Sequence, residues 1–487
     1  KILERVVFFM ETYTMPKGYG ARGWCLIIYQ MIGYLVYNAF TSFPTNVMSD
    51  QLGGTMVTTG TSLVGSLIGW VVNYFIIAPR IGRIKSYKRV SLILGIPAFL
   101  CCVAMCIIPP SMTLLWCAVF VCVNQLTTMW GCSFTTYIIG NWFPRKKGQV
   151  MGVVTCSFPV VQGALLGIFS SQYYSTLAST QGDAVATNLI CFAPYFIVWI
   201  LGWILCAIFI KDYPEQCGCF RDNDKSFTKE MADAMLVKEI ENRKRSVWKR
   251  SKMWGCGHLY LLNISTGILL NTAIAMMVQI IPILIRYNNE LSIFVVPGFS
   301  LMSQGFTAVL FGLTFFAIFG SLFLGWIDDR FGVRTAILIT GIIQVIAGVM
   351  GAIDNPWTAV AATWLLGIYM GASSNFGLSS IVRYWRAEDF PSVMTGAPPI
   401  GLILFTPQSF IISAIGTNVG YSAAFLYIAA LGVVSIICQL CFNPKKIVEY
   451  DNKLRAEAGL PLDGLLEERL DREKKMAEMR KAAKAGK

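Results

Sequence analysis

Gln30, Tyr34, Tyr37, Asn38 and Thr41 recur at i, i+4, i+7, i+8 and i+11 within one long apolar run. On a helix that spacing places all five on one face. Amides and phenols so arranged bind a small molecule by uncharged hydrogen bonds rather than by acid–base chemistry. Similar residues punctuate other apolar runs: Asn124, Gln125, Thr128 and Trp130, then Gln162, then Asn263, Asn271 and Gln279, then Gln304, Trp364, Tyr369, Asn375 and Gln408. A few placed polar groups in an apolar pocket is the usual form of a small-molecule site. The competing reading for any one of them is a hydrogen bond that only joins two helices, at roughly 0.6 kcal/mol each. The first stripe, taken as a set, favours a cavity. From it Gln30, Tyr34, Tyr37 and Asn38 are taken as substrate-binding. With them go Asn124, Gln125, Trp130, Gln162, Asn271, Gln279, Gln304 and Gln408.

The runs that carry these residues must cross a bilayer. The chain has 487 residues, 55% of them hydrophobic and only 14% charged, with a mean hydropathy of +0.58. A soluble domain is about a quarter charged. Disorder needs the opposite composition, and a small disulfide scaffold does not fit this length. About 20 apolar residues span a bilayer core. Runs of that kind start near Trp24, Thr55, Val90, Leu114, Gln149, Leu189, His258, Leu301, Thr335, Trp357, Val393 and Tyr421. Twelve helices are expected, and the runs are too continuous for a transmembrane β-barrel.

The net charge of +13 is not a nucleic-acid footprint, because the charges are dispersed between the runs instead of forming one patch. Of the 40 Lys and Arg residues, only Arg286 falls in an odd-numbered connection. Basic loops mark the cytoplasmic side, so both termini are expected in the cytoplasm of a plasma (inner) membrane protein. The first 20 residues lack the apolar region and cleavage site of a signal peptide. The expected organisation is a terminal segment 1–23, six helices over 24–210, a cytoplasmic loop 211–257, six helices over 258–442 and a charged tail 443–487.

The two halves repeat. Ile138-Ile139-Gly140-Asn141-Trp142 precedes Val150-Met151, and Ile381-Val382-Arg383-Tyr384-Trp385 precedes Val393-Met394 at the same spacing. Pro79-Arg80-Ile81-Gly82-Arg83 follows the second run, and Asp329-Arg330-Phe331-Gly332-Val333-Arg334 follows the eighth. Parallel repeats of this size are a transporter design that holds substrate between the halves.

The segment Gly325-Trp326-Ile327-Asp328-Asp329-Arg330-Phe331-Gly332-Val333-Arg334 resembles the loop motif of the major facilitator superfamily. The first-half copy is degenerate, with Phe75 in place of Gly and Pro79 in place of Asp. Asn141-Trp142-Phe143-Pro144-Arg145-Lys146-Lys147-Gly148 and Asp212-Tyr213-Pro214-Glu215 also resemble the superfamily. They lean toward its oxalate/formate antiporter and monocarboxylate transporter branches. The resemblance covers roughly residues 20–445. It implies a twelve-helix, all-α fold that works by alternating access. It also implies a gating role for Gly325, Asp329, Arg330, Gly332 and Arg334, and for Arg80 and Arg83. The alternative for that loop is a solvated turn that only fixes topology.

Charge is absent from the runs themselves, and Asp50 and Asp183 bracket a stretch with no acidic residue. Intramembrane charge usually marks a proton relay or an ion path. Its absence disfavours a buried carboxylate relay, a cationic clamp for a dianion and an intramembrane enzyme. The lone His258 reads as an interfacial residue, and Arg286 either recruits an anion or anchors a helix end. The 15 Cys residues form no metal framework and read as soft packing residues, Cys217, Cys219 and Cys256 included. No cofactor, metal or nucleic acid is expected, and a monomer in the bilayer suffices. The expected function is secondary transport of a small organic molecule, an organic acid first, by exchange or facilitated diffusion. Ion-coupled symport and a non-transporting sensor are the alternatives.

Overall fold

The computed structural model describes residues 20–77, 84, 86–143, 150, 153–219, 221, 246–295, 304–386, 389, 392–393, 406–460 and 462. These residues are almost wholly helical. The first half contains α1 (Gly20–Val47), α2 (Thr55–Val71), α3 (Tyr87–Ile107), α4 (Thr113–Thr128), α5 (Phe134–Trp142), α6 (Ser157–Val160), α7 (Leu166–Ser179) and α8 (Ala184–Phe209). The second contains α9 (Gly257–Ile285), α10 (Gly305–Phe331), α11 (Val333–Ala352), α12 (Pro356–Tyr384), α13 (Gln408–Asn418) and α14 (Tyr421–Cys441), followed by α15 (Pro444–Glu457). Among the described residues, nine helical stretches are long and apolar enough to span a membrane. Helices also stand at the three other expected spans. There α2 is 17 residues long, α12 is long but more polar, and α13 is described over 11 residues.

The helices start where the sequence supplies caps. Asp183 accepts hydrogen bonds from Val185 N and Ala186 N at 2.9 and 3.1 Å. Asn355 accepts from Trp357 N at 2.9 Å, with Pro356 in the first turn. Each cap satisfies amides that the helix itself leaves open. The outer surface is apolar, with Leu114, Ile93 and Leu322 among the most exposed side chains, while Gln30, Gln162, Gln279 and Gln344 are wholly buried. This inversion of the soluble pattern is what a lipid environment dictates.

Three of the first-half spans contain π turns, at Val72–Ile77, Met129–Ser133 and Val161–Leu165. Such turns widen a helix, leave local backbone groups free for other partners and often stand at functional sites. The second of them brings Gly131 against Gly33 of α1. A Cβ on Gly33 would lie 2.4 Å from Gly131 O, and one on Gly131 would lie 2.5 Å from Gly33 O. The two backbones touch, which only glycine allows.

The repeat is visible at the end of the molecule that carries the basic connections. Trp142 donates from Nε1 to Lys211 O at 2.8 Å, and Asp212 accepts from Ser86 Oγ at 2.5 Å and Lys88 N at 2.8 Å. In the second half the matching Trp385 packs edge-on against Trp248 at 5.5 Å. There Asp451 of α15 takes the carboxylate's part, bonding Trp248 Nε1 at 2.8 Å, Arg386 at 3.0 Å and Arg455 at 3.3 Å.

Candidate functional site between the two halves

The polar stripe on α1 divides among three destinations. Gln30 donates from Nε2 to Gly131 O at 2.9 Å, so it serves the contact between α1 and the second π turn. Thr41 turns back onto its own helix, bonding Tyr37 O at 2.7 Å. Asn38 donates to Tyr34 O at 2.7 Å and offers its Oδ1 to Gln162 Nε2 at 2.6 Å. The same Gln162 amide donates to Ser42 Oγ at 2.7 Å. Asn38, Ser42 and Gln162 thus form a buried polar triad. Tyr34 and Tyr37 are half-buried.

Gln162 belongs to the third π turn, and that turn faces the second half. Thr314 of α10 accepts from Ala164 N at 2.8 Å and reaches Pro159 O at 3.3 Å. One hydroxyl therefore bridges two backbone groups five residues apart in the opposite half. Gly163 makes the approach possible, since a Cβ there would meet Thr314 Oγ1 at 2.1 Å and Leu310 O at 2.8 Å. The triad sits one residue from the seam along which the halves meet. Asn375 of α12 adds a second crossing, donating to Thr155 Oγ1 at 3.1 Å.

At the face opposite the basic connections the seam is closely packed. One buried apolar cluster runs from Val36, Phe40 and Val47 of α1 to Ile280 and Leu284 of α9 and Phe306 of α10. Ser413 of α13 donates to Thr55 at the start of α2 at 3.0 Å, and the Phe410 ring lies 3.5 Å from the position of a Cβ on Gly60. The described state is sealed on this face.

The remaining sequence-selected residues fall in several places. Gln279 of α9 is wholly buried, and neither of its amide atoms has a hydrogen-bond partner among the described residues. Gln408, the first residue of α13, is also buried, with its Oε1 unpartnered among the described residues. Gln125 donates to Gly65 O and so ties α4 to α2. Asn271 bonds its own helix at Gly267 O at 2.9 Å, and Asn124 is buried on α4. Trp130 stacks on Trp199 at 4.5 Å within the first half. Gln304 is the N-cap residue of α10, at the sealed face rather than at mid-depth.

In the loop at 325–334, Asp328 carries the ion pair. Its carboxylate lies 3.6 Å from Arg383 of α12 and accepts from Ser379 Oγ. The sequence reading places the gating carboxylate at Asp329; the described contacts are those of its neighbour Asp328, with Ser379 and Arg383, four apart on α12. The Asp329 side chain, Arg80 and Arg83 lie outside the described residues. Arg330 stacks over Trp326 at 5.2 Å. Arg334 caps α14 through Gln439 O at 3.1 Å and Leu440 O at 3.0 Å. Gly332 has φ +92° with the Arg383 guanidinium against it, and nothing crowds Gly325. These loop contacts stay within the second half. On the sealed face Arg286 pairs with Asp354 at 3.6 Å, and His258 accepts from Asn443 N at 3.3 Å at the basic end.

Sequence reasoning missed Ser42, Thr314 and Gln344. Ser42 stands four residues after Asn38, so the helical period could have added it. Thr314 had no signal, being one hydroxyl in an apolar run. Gln344 accepts from Thr272 at 3.0 Å and Tyr369 at 3.3 Å and donates to Ile428 O at 3.0 Å. It joins four helices of the second half, which is a structural task.

Comparison with known proteins places this architecture. Residues 256–380 match the sequence model of the Sugar (and other) transporter family. No curated protein sequence matches the chain. Among solved structures, the proton:xylose symporter XylE bound to 6-bromo-6-deoxy-D-glucose is similar with a TM-score of 0.59 and 13% identity, over 86% of this chain and 95% of that one. A bacterial homologue of the human drug peptide transporters PepT1 and PepT2 is similar with a TM-score of 0.55 and 12% identity, over 90% and 100%. The nucleoside transporter NupG gives a TM-score of 0.51 and 12% identity, over 86% and 99%. The chain has the major facilitator fold and is an integral, multi-pass membrane protein.

Proposed function

We propose that the chain is a secondary transporter that carries a small organic molecule by alternating access, as an exchanger or facilitator. An organic acid crossing with its own proton is the first substrate class. The observation that carries the reading is the Asn38–Ser42–Gln162 triad on a π turn beside the seam. It offers donors and acceptors without a charge, in two segments, 24–47 and 153–179, that hold no carboxylate, ammonium or guanidinium group. Such a site recognises a solute in its uncharged form, because a bare anion would lose its hydration with no cation in return. Among the described residues the Oε1 of Gln162 and both amide atoms of Gln279 have no protein partner, which leaves them for the solute. Those same amides complement hydroxyl groups, which favours a neutral hydroxylated solute as the second reading.

Uptake into proteoliposomes tests both readings. The panel is labelled organic acids and neutral polyols, with and without a proton gradient, and with unlabelled solute inside. Acid uptake that rises with an inward proton gradient supports carriage of the protonated acid, and acid uptake that rises with internal solute but ignores the gradient supports exchange without an accompanying proton. Polyol uptake alone moves the substrate to the second class. Binding of a panel member without flux removes transport and leaves a sensor of the same fold.

A further inference from the structure

Immediately after α8 the chain turns through Pro214–Cys217 and closes with Gly218 at φ +68°. The turn is held by Cys219 N on Pro214 O at 3.0 Å and by the buried pair of Glu215 and Arg221 at 2.5 Å. The left-handed glycine folds the next residue back over the turn. As a result the Cys217 and Cys219 sulfurs lie 3.7 Å apart. Cys217 is half-buried and Cys219 is 7% exposed. Both lie beyond the membrane-spanning segment, at the end that carries the basic connections.

We propose that Cys217 and Cys219 are a reactive vicinal dithiol that a peroxide converts into a disulfide within the turn. The thiolate is the attacking species, and Cys217 is the thiol placed to supply it. The hydrogen bond it shares with Cys219 holds its sulfur below the ordinary thiol value, with the nearby Arg22 charge adding to the effect against the cost of burial. The same interaction and burial hold the Cys219 thiol up. The Cys217 thiolate attacks one peroxide oxygen. An S–O bond forms, the O–O bond breaks, and the departing oxygen takes a proton. The Cys219 sulfur then gives up its proton and attacks the Cys217 sulfenic acid. The S–S bond forms, the S–O bond breaks and water leaves. Two electrons pass from the two thiols to the peroxide. The sulfurs need to close only to about 2.0 Å. A loop this short restrains little chain entropy, so the bond is no staple. Its small ring makes it readily reducible, as labile regulatory disulfides are.

The sequence supplies a clean assay. Trypsin cuts after Lys211 and Arg221, and the peptide between them contains Cys217 and Cys219 and no other cysteine. Purified full-length protein in nanodiscs is treated with hydrogen peroxide, alkylated and digested. The expected product is that peptide lighter by two hydrogens, carrying no alkyl group, and restored to two alkylated thiols by dithiothreitol. Two alkylated thiols after peroxide would overturn the proposal. So would a disulfide between chains, or a sulfinic acid on Cys217 beside an alkylated Cys219. Cys219→Ser should leave a sulfenic acid on Cys217 that dimedone traps, while Cys217→Ser should leave Cys219 as thiol. Equal trapping in the two variants would overturn the assigned order of attack.

Discussion

Replacing Thr314 by Val keeps the shape of the side chain and removes the hydroxyl that crosses the seam. In the sealed state that hydroxyl accepts from Ala164 N at 2.8 Å and reaches Pro159 O at 3.3 Å in the other half. It also reaches Leu310 O of its own helix at 3.2 Å. When the halves part, the bond within α10 survives and the bonds across the seam do not. The loss therefore falls on the sealed state alone, which is the condition for shifting an equilibrium. One interhelical hydrogen bond in a membrane contributes about 0.6 kcal/mol on average and about 1.7 at most. Taking about 1 kcal/mol, the ratio of sealed to parted molecules should fall about five-fold, since 1.4 kcal/mol is ten-fold. Hydrogen–deuterium exchange reads this on the protein without labels. Amides of the peptides holding Thr55–Gly60 and Gln408–Asn418, which close the far face, should exchange about five-fold faster in the variant. Thr314→Ser keeps the hydroxyl and should exchange as the parent does. Unchanged exchange at both peptides in Thr314→Val would refute the assignment of Thr314 as a state-selective clasp.

Three further perturbations follow from the same contacts. Gly131→Ala should raise local helix propensity by about 1 kcal/mol, yet the new Cβ stands 2.5 Å from Gly33 O. Overpacking against backbone costs about 1–3 kcal/mol, so a net loss in melting temperature is expected, and an unchanged one would mean the two helices do not touch there. Asn38→Ala and Gln162→Ala each remove one side of the triad and should weaken substrate binding about ten-fold, the worth of one buried hydrogen bond, with elution and melting little changed; unaltered affinity in both would take the site elsewhere. Asp389 accepts from Ser246 Oγ at 2.8 Å and Val247 N at 3.0 Å, and burial, with Asp451 adding, holds its carboxyl above the ordinary 3.8. The folded form therefore keeps that proton, and the stability it contributes is present below pH 3.8 and lost as pH rises through the raised value. Asp389→Asn should flatten this part of the melting curve against pH, and an identical slope in parent and variant would rule it out.

The helical architecture was legible because it rests on two coarse quantities. Apolar run length is set by bilayer thickness, and the placement of Lys and Arg alternates with each crossing. Neither depends on which side chain meets which. The loop at 325–334 was legible as a motif but not in its pairing. The partners of Asp328, Arg383 and Ser379, stand more than 50 residues away. No local pattern contains that information.

The polar site was legible by composition and not by partner, and the reason is physical. In lipid every amide must find a hydrogen bond, so an amide in an apolar run looks the same whether it binds a ligand or ties two helices. Gln125, Gln344 and Gln162 illustrate the ambiguity. The first bonds a backbone carbonyl on α2, and the second joins four helices of one half. Only the third stands on a widened turn whose next residues touch the opposite half. What separates them is the backbone, because a π turn next to Pro159 releases carbonyl and amide groups that a regular helix would keep. Sequence shows the proline and the neighbouring glycines but not the extra residue in the turn. The partner that uses it, Thr314, comes from 150 residues further along the chain. A site built on the seam between two halves is therefore written in contacts that neither half contains. Its members are found by asking which buried amides lie where the backbone itself gives up its own hydrogen bonds.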